Sequence, residues 1–201
     1  MFSEACERNK IPIGDALARF LKPRQGKHLD KVLEIGSGTG QHAEYLLQRF
    51  HNLYWQPSDV AENLSHITQR LRPLLLGRCL EPILLDLNKP RQLHANYDIV
   101  FTANTLHIVN NELVERLIRL AASVLCSEGM FFVYGPFNYG GSFSSQSNAV
   151  FDEWLKRRDS DSGIRDIEKI TAQALSNGLM LVEDIAMPAN NQLLVFKKTL
   201  I

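Results

Sequence analysis

The chain has 201 residues, a length suited to one domain because a single core rarely grows beyond about 250 to 300 residues. Apolar residues make up 45% and charged residues 22%, a globular balance that excludes an intrinsically disordered chain. Lysine plus arginine (22) equals aspartate plus glutamate (22), so the formal net charge is zero and no overall field draws the chain to nucleic acid.

The elements alternate from the start. Val32–Ile35 reads as a first strand, and the glycine loop after it opens a helix with Ala43, Leu46, Leu47 and Phe50 on one face. Leu53–Gln56 reads as a second strand stopped by Pro57, because a proline cannot donate to a central ladder. A helix is expected over Asn63–Leu71, ended by Pro73, then a third strand over Pro82–Leu85 with Asp86 just past it. Tyr97–Thr102 gives a fourth strand, and a helix over Asn111–Leu125 buries Leu113, Leu117, Leu120, Ala121 and Val124.

Met130–Tyr134 is the fifth strand, broken by Gly135-Pro136 in favour of a Gly- and Ser-rich loop over Phe137–Ser147. Helical patterns follow at Asn148–Arg157 and Asp166–Ser176, and Lys156, Arg157 and Arg158 read as a solvated helix end beside Asp159 and Asp161. Leu179–Met187 and Leu193–Lys197 close the chain as two strands whose short connection requires an antiparallel pair. The expected fold is α/β: a seven-stranded, mostly parallel, doubly wound (Rossmann-like) sheet with an antiparallel terminal hairpin, in one domain over residues 1–201.

The chemistry gathers at the strand ends. Gly36-x-Gly38-x-Gly40, with Ser37 and Thr39 between, lets a ligand approach the backbone and delivers it to a helix N-terminus. A dinucleotide fingerprint would place its third glycine at position 41, where this chain has Gln41. Glu34 before the loop would repel a pyrophosphate but suits an ammonium group, such as the amino acid end of S-adenosylmethionine. Asp59 past the second strand is placed for ribose hydroxyls, and Asp86 past the third for an adenine amino group.

Asn104 and His107 follow the fourth strand at the edge of the expected crevice, where His107 could take a proton from an acceptor hydroxyl or amine. Phe137, Asn138 and Tyr139 could line the acceptor pocket, with Tyr139 a third catalytic candidate. Cys6, Cys79 and Cys126 lack paired spacing, so no metal site is expected and a reducing compartment is the simple reading. Without a signal-like N-terminus or a long apolar run, a cytoplasmic location and no membrane partner are expected.

Beyond the generic fold, the chain carries specific strings: Glu7-Arg8-Asn9-Lys10, Val32 to His42, Trp55-Gln56-Pro57-Ser58-Asp59, Tyr134-Gly135-Pro136-Phe137, Ser147-Asn148-Ala149, Arg165-Asp166 and Met187 to Asn191. With these it resembles, nearly end to end, a methyltransferase-like domain-of-unknown-function family within the class I S-adenosylmethionine-dependent methyltransferases. The resemblance implies cofactor binding at Glu34, Gly36, Gly38, Gly40 and Asp59, with Asp86 expected to join them, and leaves the acceptor open. Arg8, Asn9 and Lys10 are expected to hold an anionic acceptor from an N-terminal segment. The chain lacks the Asp or Asn, two prolines and aromatic residue that amine-modifying enzymes of nucleic acid and some proteins carry after the fourth strand, so base methylation is disfavoured, and a small-molecule acceptor is expected ahead of a protein side chain. A nicotinamide-dependent oxidoreductase and a non-catalytic cofactor-binding module are the competing readings.

Overall fold

In the computed structural model, which describes residues 2–21, 29–75, 77–89, 93 and 96–199, the chain divides into two compact units, residues 1–102 and 103–201. The first holds α1 (Glu4–Leu17), β1 (Asp30–Ile35), α2 (Gln41–Arg49), β2 (Leu53–Asp59), α3 (Ala61–Leu71), a 3-10 turn (Arg72–Leu74), β3 (Ile83–Leu84) and most of β4 (Tyr97–Ala103). Strands β1 to β4 run parallel in the order β3-β2-β1-β4, so the strand order reverses beside β1, where doubly wound sheets open a ligand crevice. Val32, Leu33 and Ile35 of β1 and Val100 and Phe101 of β4 are buried, as a sheet covered on both faces demands.

Three local features differ from the expectation. Strand β2 runs through Pro57 to Asp59, and Pro57 is registered against Glu34 of β1. The proline is accommodated because the ladder on its other side is interrupted: an isolated bridge pairs Trp55 with Cys79, and β3 joins only at Ser58. The Gln56 amide fills the gap, donating to the carbonyls of Pro57 (3.0 Å) and Glu81 (2.8 Å). Helix α2 stops at Arg49, so Phe50 is a half-buried cap rather than a core residue. Helix α1 spans a segment read only as a source of polar ligands; Gly14 lets it approach α2, since a Cβ there would lie 2.9 Å from Tyr45 Cε1.

The second unit holds α4 (Asn111–Val124), β5 (Leu125–Gly135), β6 (Phe137–Tyr139), β7 (Ser142–Phe143), α5 (Gln146–Arg158), β8 (Arg165–Asp166), α6 (Ile167–Ser176), β9 (Leu179–Met187) and β10 (Asn191–Lys198). Strand β10 runs antiparallel to both β5 and β9, and its pairing with β5 begins at Met130, past Glu128 at φ 66°. Helix α4 buries Val114, Leu117, Ile118, Ala121, Ala122 and Val124, so its core stripe lies one residue round from the expected one and Leu113 and Leu120 are half-buried.

The expected loop over 137–147 contains the β6–β7 hairpin. Gly140 and Gly141 at φ 56° and 74° have the left-handed pair that a two-residue hairpin turn needs. The whole strand order, β3-β2-β1-β4-β5-β10-β9, is that of a seven-stranded, mostly parallel α/β sheet with an antiparallel C-terminal hairpin, as the sequence indicated.

Candidate functional site

The glycine loop is shaped by its backbone. Gly36, Gly38 and Gly40 all have positive φ (76°, 55° and 73°), a region costly for residues with a Cβ. Gly36 and Ser37 donate their amides to the Ser58 carbonyl (3.0 Å each), which stitches the loop to the end of β2. A Cβ on Gly38 would meet nothing within 4 Å, so the loop faces open space there. Helix α2 starts from Gly40 without a side-chain cap among the described residues, leaving its first amides available to an anion.

Asp59 closes the other side. Its Oδ2 accepts from the Gly38 amide (2.5 Å), and its Oδ1 from the Val60 amide (2.7 Å) and Asn63 Nδ2 (2.9 Å). Asp86 lies three residues past the Ile83 that pairs with Ser58, and Leu85 donates to the Asp59 carbonyl (2.9 Å). Its carboxylate accepts from the Asn88 amide (2.9 Å), and that bond, with Lys89 at 3.6 Å, holds its pKa below the ordinary aspartate range.

Glu34 lies behind the loop at 1% exposure. Its Oε2 accepts from Ser37 Oγ (2.8 Å) and Trp55 Nε1 (3.0 Å). Burial outweighs those two donors, and the Asp59 charge adds to it, so the carboxyl is pushed up to about 7. The sequence thus brings Glu34, the glycine loop and Asp59 into one cluster, but Glu34 is enclosed rather than displayed.

Of the N-terminal trio, α1 turns only Asn9 inward. Arg8 is exposed and pairs with Glu4 (3.5 Å), while Lys10 pairs with Glu7 and lies over the Tyr45 ring (5.7 Å). Consecutive helix positions point about 100° apart, so three neighbours cannot share a pocket wall. Asn9 Oδ1 instead lies 2.7 Å from His42 Nε2. Gln41, the departure from a dinucleotide fingerprint, anchors the start of α1: its Oε1 accepts from the Ser3 amide (2.6 Å) and Thr39 Oγ1 (2.8 Å), and its Nε2 donates to the Ser3 carbonyl (3.2 Å) and Glu7 (3.1 Å).

In the second unit, Asn104 takes φ 59° directly after β4 and donates its amide to the Tyr134 carbonyl (2.9 Å). His107 is buried, with its ring edge-on to Phe151 (5.3 Å), and a Cβ on Gly135 would lie 3.6 Å from its Nδ1. Burial, helped by the Arg165 charge, lowers its pKa to about 4, so the imidazole is neutral at pH 7. Phe137 is fully buried in the core, and Asn138 is buried with Nδ2 toward the Ile164 carbonyl (3.5 Å) and Oδ1 lacking a partner among the described residues. The Tyr139 hydroxyl donates to Asp184 (2.6 Å), and burial together with that carboxylate raises its pKa, so it stays a phenol and is not a base near neutrality.

Arg165 stands out in the sequence only as part of a short string, yet its guanidinium ties the carbonyls of Leu106 (3.0 Å), Val109 and Asp161 (2.9 Å), fixing the segment that carries His107. Among the described residues, no group of three or more His, Cys, Asp or Glu side chains is placed to hold a metal ion, and no helix is long and apolar enough to cross a membrane.

Residues 1–198 match the model of a family described as "Protein of unknown function (DUF938)". The chain belongs to that family. Solved structures give this DUF938 member a methyltransferase-like fold. An O-methyltransferase family protein from Burkholderia thailandensis matches with TM-score 0.77 and 17% identity over 96% of this chain and 60% of its own. The mitomycin 7-O-methyltransferase MmcR matches at 0.77 and 16%, over 96% and 54%. CalO1, a methyltransferase in calicheamicin biosynthesis solved in its SAH-bound form, matches at 0.74 and 15%, over 96% and 54%. In sequence, the 5-methylorsellinic acid synthase of Aspergillus terreus is 26% identical over 103 residues, 49% of this chain and 4% of that protein. The DUF938 chain therefore spans at most 60% of each of these proteins.

Proposed function

We propose that this protein is an S-adenosylmethionine-dependent methyltransferase that acts as one domain in the cytoplasm on a small-molecule acceptor, without nucleic acid or membrane partners. The observation that carries the reading is the junction of the glycine loop with Asp59: an amide-to-carboxylate contact of 2.5 Å beside a glycine that faces open space, with a buried carboxylate behind it. These residues fit the cofactor. Gly38 leaves the room, Asp59 supplies acceptors for ribose hydroxyls, and Glu34 supplies the charge for an ammonium group.

When bound, S-adenosylmethionine supplies an electrophilic methyl carbon on a cationic sulfur. Asp59 has about four lone-pair sites, and Gly38, Val60 and Asn63 use three, so one ribose hydroxyl adds directly and a second displaces a present donor. Asp86 keeps Oδ1 on the Asn88 amide and can turn Oδ2 to an adenine amino group by releasing the exposed Lys89. Gly36, Ser37, Thr39 and Gly40 shape the cradle.

On the acceptor side, His107 is a neutral imidazole able to take a proton from a hydroxyl or amine as the nucleophile attacks. Asn138 has an amide oxygen with no partner among the described residues, which a donor on the acceptor molecule would satisfy. Phe137 is buried in the core, and Tyr139 holds the hairpin through Asp184 instead of exchanging protons. Methyl-labelled S-adenosylmethionine incubated with the protein and the small-molecule fraction of a cell extract is expected to yield a labelled product, lost with His107→Ala. Label appearing only in protein or nucleic acid, or nowhere, would contradict the proposal.

A further inference from the structure

The pair Asn9–His42 is not needed to build the loop, yet it places a second buried polar chain against Glu34. Asn9 and His42 are 7% and 4% exposed, and Glu34 is 1% exposed. His42 Nε2 lies 2.7 Å from Asn9 Oδ1, and His42 Nδ1 lies 4.0 Å from Glu34 Oε1. An amide oxygen only accepts, so the bond to Asn9 requires the proton on Nε2. A neutral imidazole then presents Nδ1 to Glu34 as a bare lone pair.

We propose that Asn9 is a positioning residue for the cofactor: by holding His42 in the Nε2–H tautomer, it turns a bare Nδ1 lone pair rather than an N–H dipole toward Glu34 and keeps a proton on it until a ligand ammonium arrives. The inference rests on the cofactor reading of the glycine loop. The surroundings of Glu34 explain the effect. Ser37 from the loop and Trp55 from β2 donate to it, and Asp59 from β2 opposes its charge. Cys6 of α1 and Cys79 beside β2 also feel it, and both thiols are held neutral by burial. Burial, helped by the charge of Lys10 on α1, keeps the His42 ring uncharged, lowering its pKa to about 4.

In the opposite tautomer, an Nδ1–H dipole would face Glu34 across 4.0 Å, beyond hydrogen-bond reach but near enough to favour its carboxylate electrostatically. Asn9 withholds that dipole. The ligand-free protein therefore avoids part of the cost of an enclosed, unpaired charge. When an ammonium group binds, the Glu34 proton leaves to solvent and an ammonium–carboxylate pair forms, so binding releases protons in a pH-dependent way.

The test has two arms. In the first, nitrogen-15 NMR of histidine-labelled, ligand-free protein reads the tautomer of His42. It should be Nε2–H in the parent and in Asn9→Asp, whose carboxylate still accepts, and Nδ1–H in Asn9→Leu. In the second, calorimetric titration with S-adenosylhomocysteine in two buffers of different ionisation enthalpy counts released protons. The parent should release about half a proton at pH 7, because Glu34 is near half-protonated there, and Asn9→Leu about a tenth if its carboxyl falls by roughly one pH unit.

A parent His42 in the Nδ1–H form overturns the proposal without any variant. Proton release unchanged in Asn9→Leu despite a switched tautomer overturns it as well. No heat from S-adenosylhomocysteine with any of the proteins overturns the cofactor reading and the binding role of Asn9 with it, even where the tautomer is as stated.

Discussion

Replacing Glu34 by glutamine should stabilise the ligand-free protein at high pH while weakening its hold on the cofactor. The carboxyl rises from 4.5 to about 7 because it is enclosed, so the folded state binds its proton more tightly than the unfolded chain does. Its contribution is fully present below the unfolded value and is lost as pH rises through the folded one. At about 1.4 kcal/mol per pH unit, the ionised side chain costs on the order of 3 kcal/mol by pH 8.5. Glutamine has the same size, can accept from Ser37 and Trp55 through its oxygen, and never ionises.

Thermal melts of Glu34→Gln and parent at pH 5 and pH 8.5 measure this. The two should melt close together at pH 5, and the variant should melt roughly 6 to 12 °C higher at pH 8.5, given a chain of this size. His42 and His107, both lowered to about 4, weaken parent and variant alike as pH falls from 6.5 toward 4, so the difference between the proteins isolates Glu34. A gap that does not widen between the two pH values would refute the reasoning. The same variant should bind S-adenosylhomocysteine about 10- to 100-fold more weakly, through loss of a charge-assisted bond.

Other perturbations separate the parts of the site. Gly38→Ala should cost only about 1 to 2 kcal/mol of stability from its positive φ, yet lose S-adenosylhomocysteine binding in calorimetry because its Cβ enters the open space. Gly40→Ala carries the same backbone cost and also presses a Cβ to 3.4 Å from Arg70 and 3.5 Å from Leu71, so denaturant unfolding should show the larger loss. Asp59→Ala should weaken binding about 10- to 100-fold by the same assay, since a charged acceptor disappears from the cradle. With His107 lowered to about 4, turnover at saturating cofactor, which offsets the weaker binding expected as Glu34 takes up its proton, should stay level from neutrality down to about pH 5 and fall below it, and His107→Ala should reduce turnover by about 10²- to 10⁴-fold.

Strand alternation and the terminal hairpin were legible because apolar runs and turn residues report periodicity directly. The loop and Asp59 were legible because alternate glycines after a strand permit a backbone turn that side chains would block, and a carboxylate at the next strand end falls beside it. Pro57 misled because its tolerance depends on a gap in the neighbouring ladder, which only the Trp55–Cys79 bridge and the late start of β3 reveal. Position alone also placed Arg8, Asn9 and Lys10 together, whereas the helix separates them. His42 did leave a trace, standing one turn before the core residue Leu46 on α2, a position where a polar side chain must find a buried partner. The Tyr139–Asp184 contact joins residues 45 apart and has no local signature.

The most direct measurement is a calorimetric titration of the purified protein with S-adenosylhomocysteine, repeated with Gly38→Ala. One saturable site in the parent and none in the variant is the predicted result. Flat titrations of the parent at millimolar ligand, or equal binding by both proteins, would contradict a cofactor seated against the Gly38 backbone.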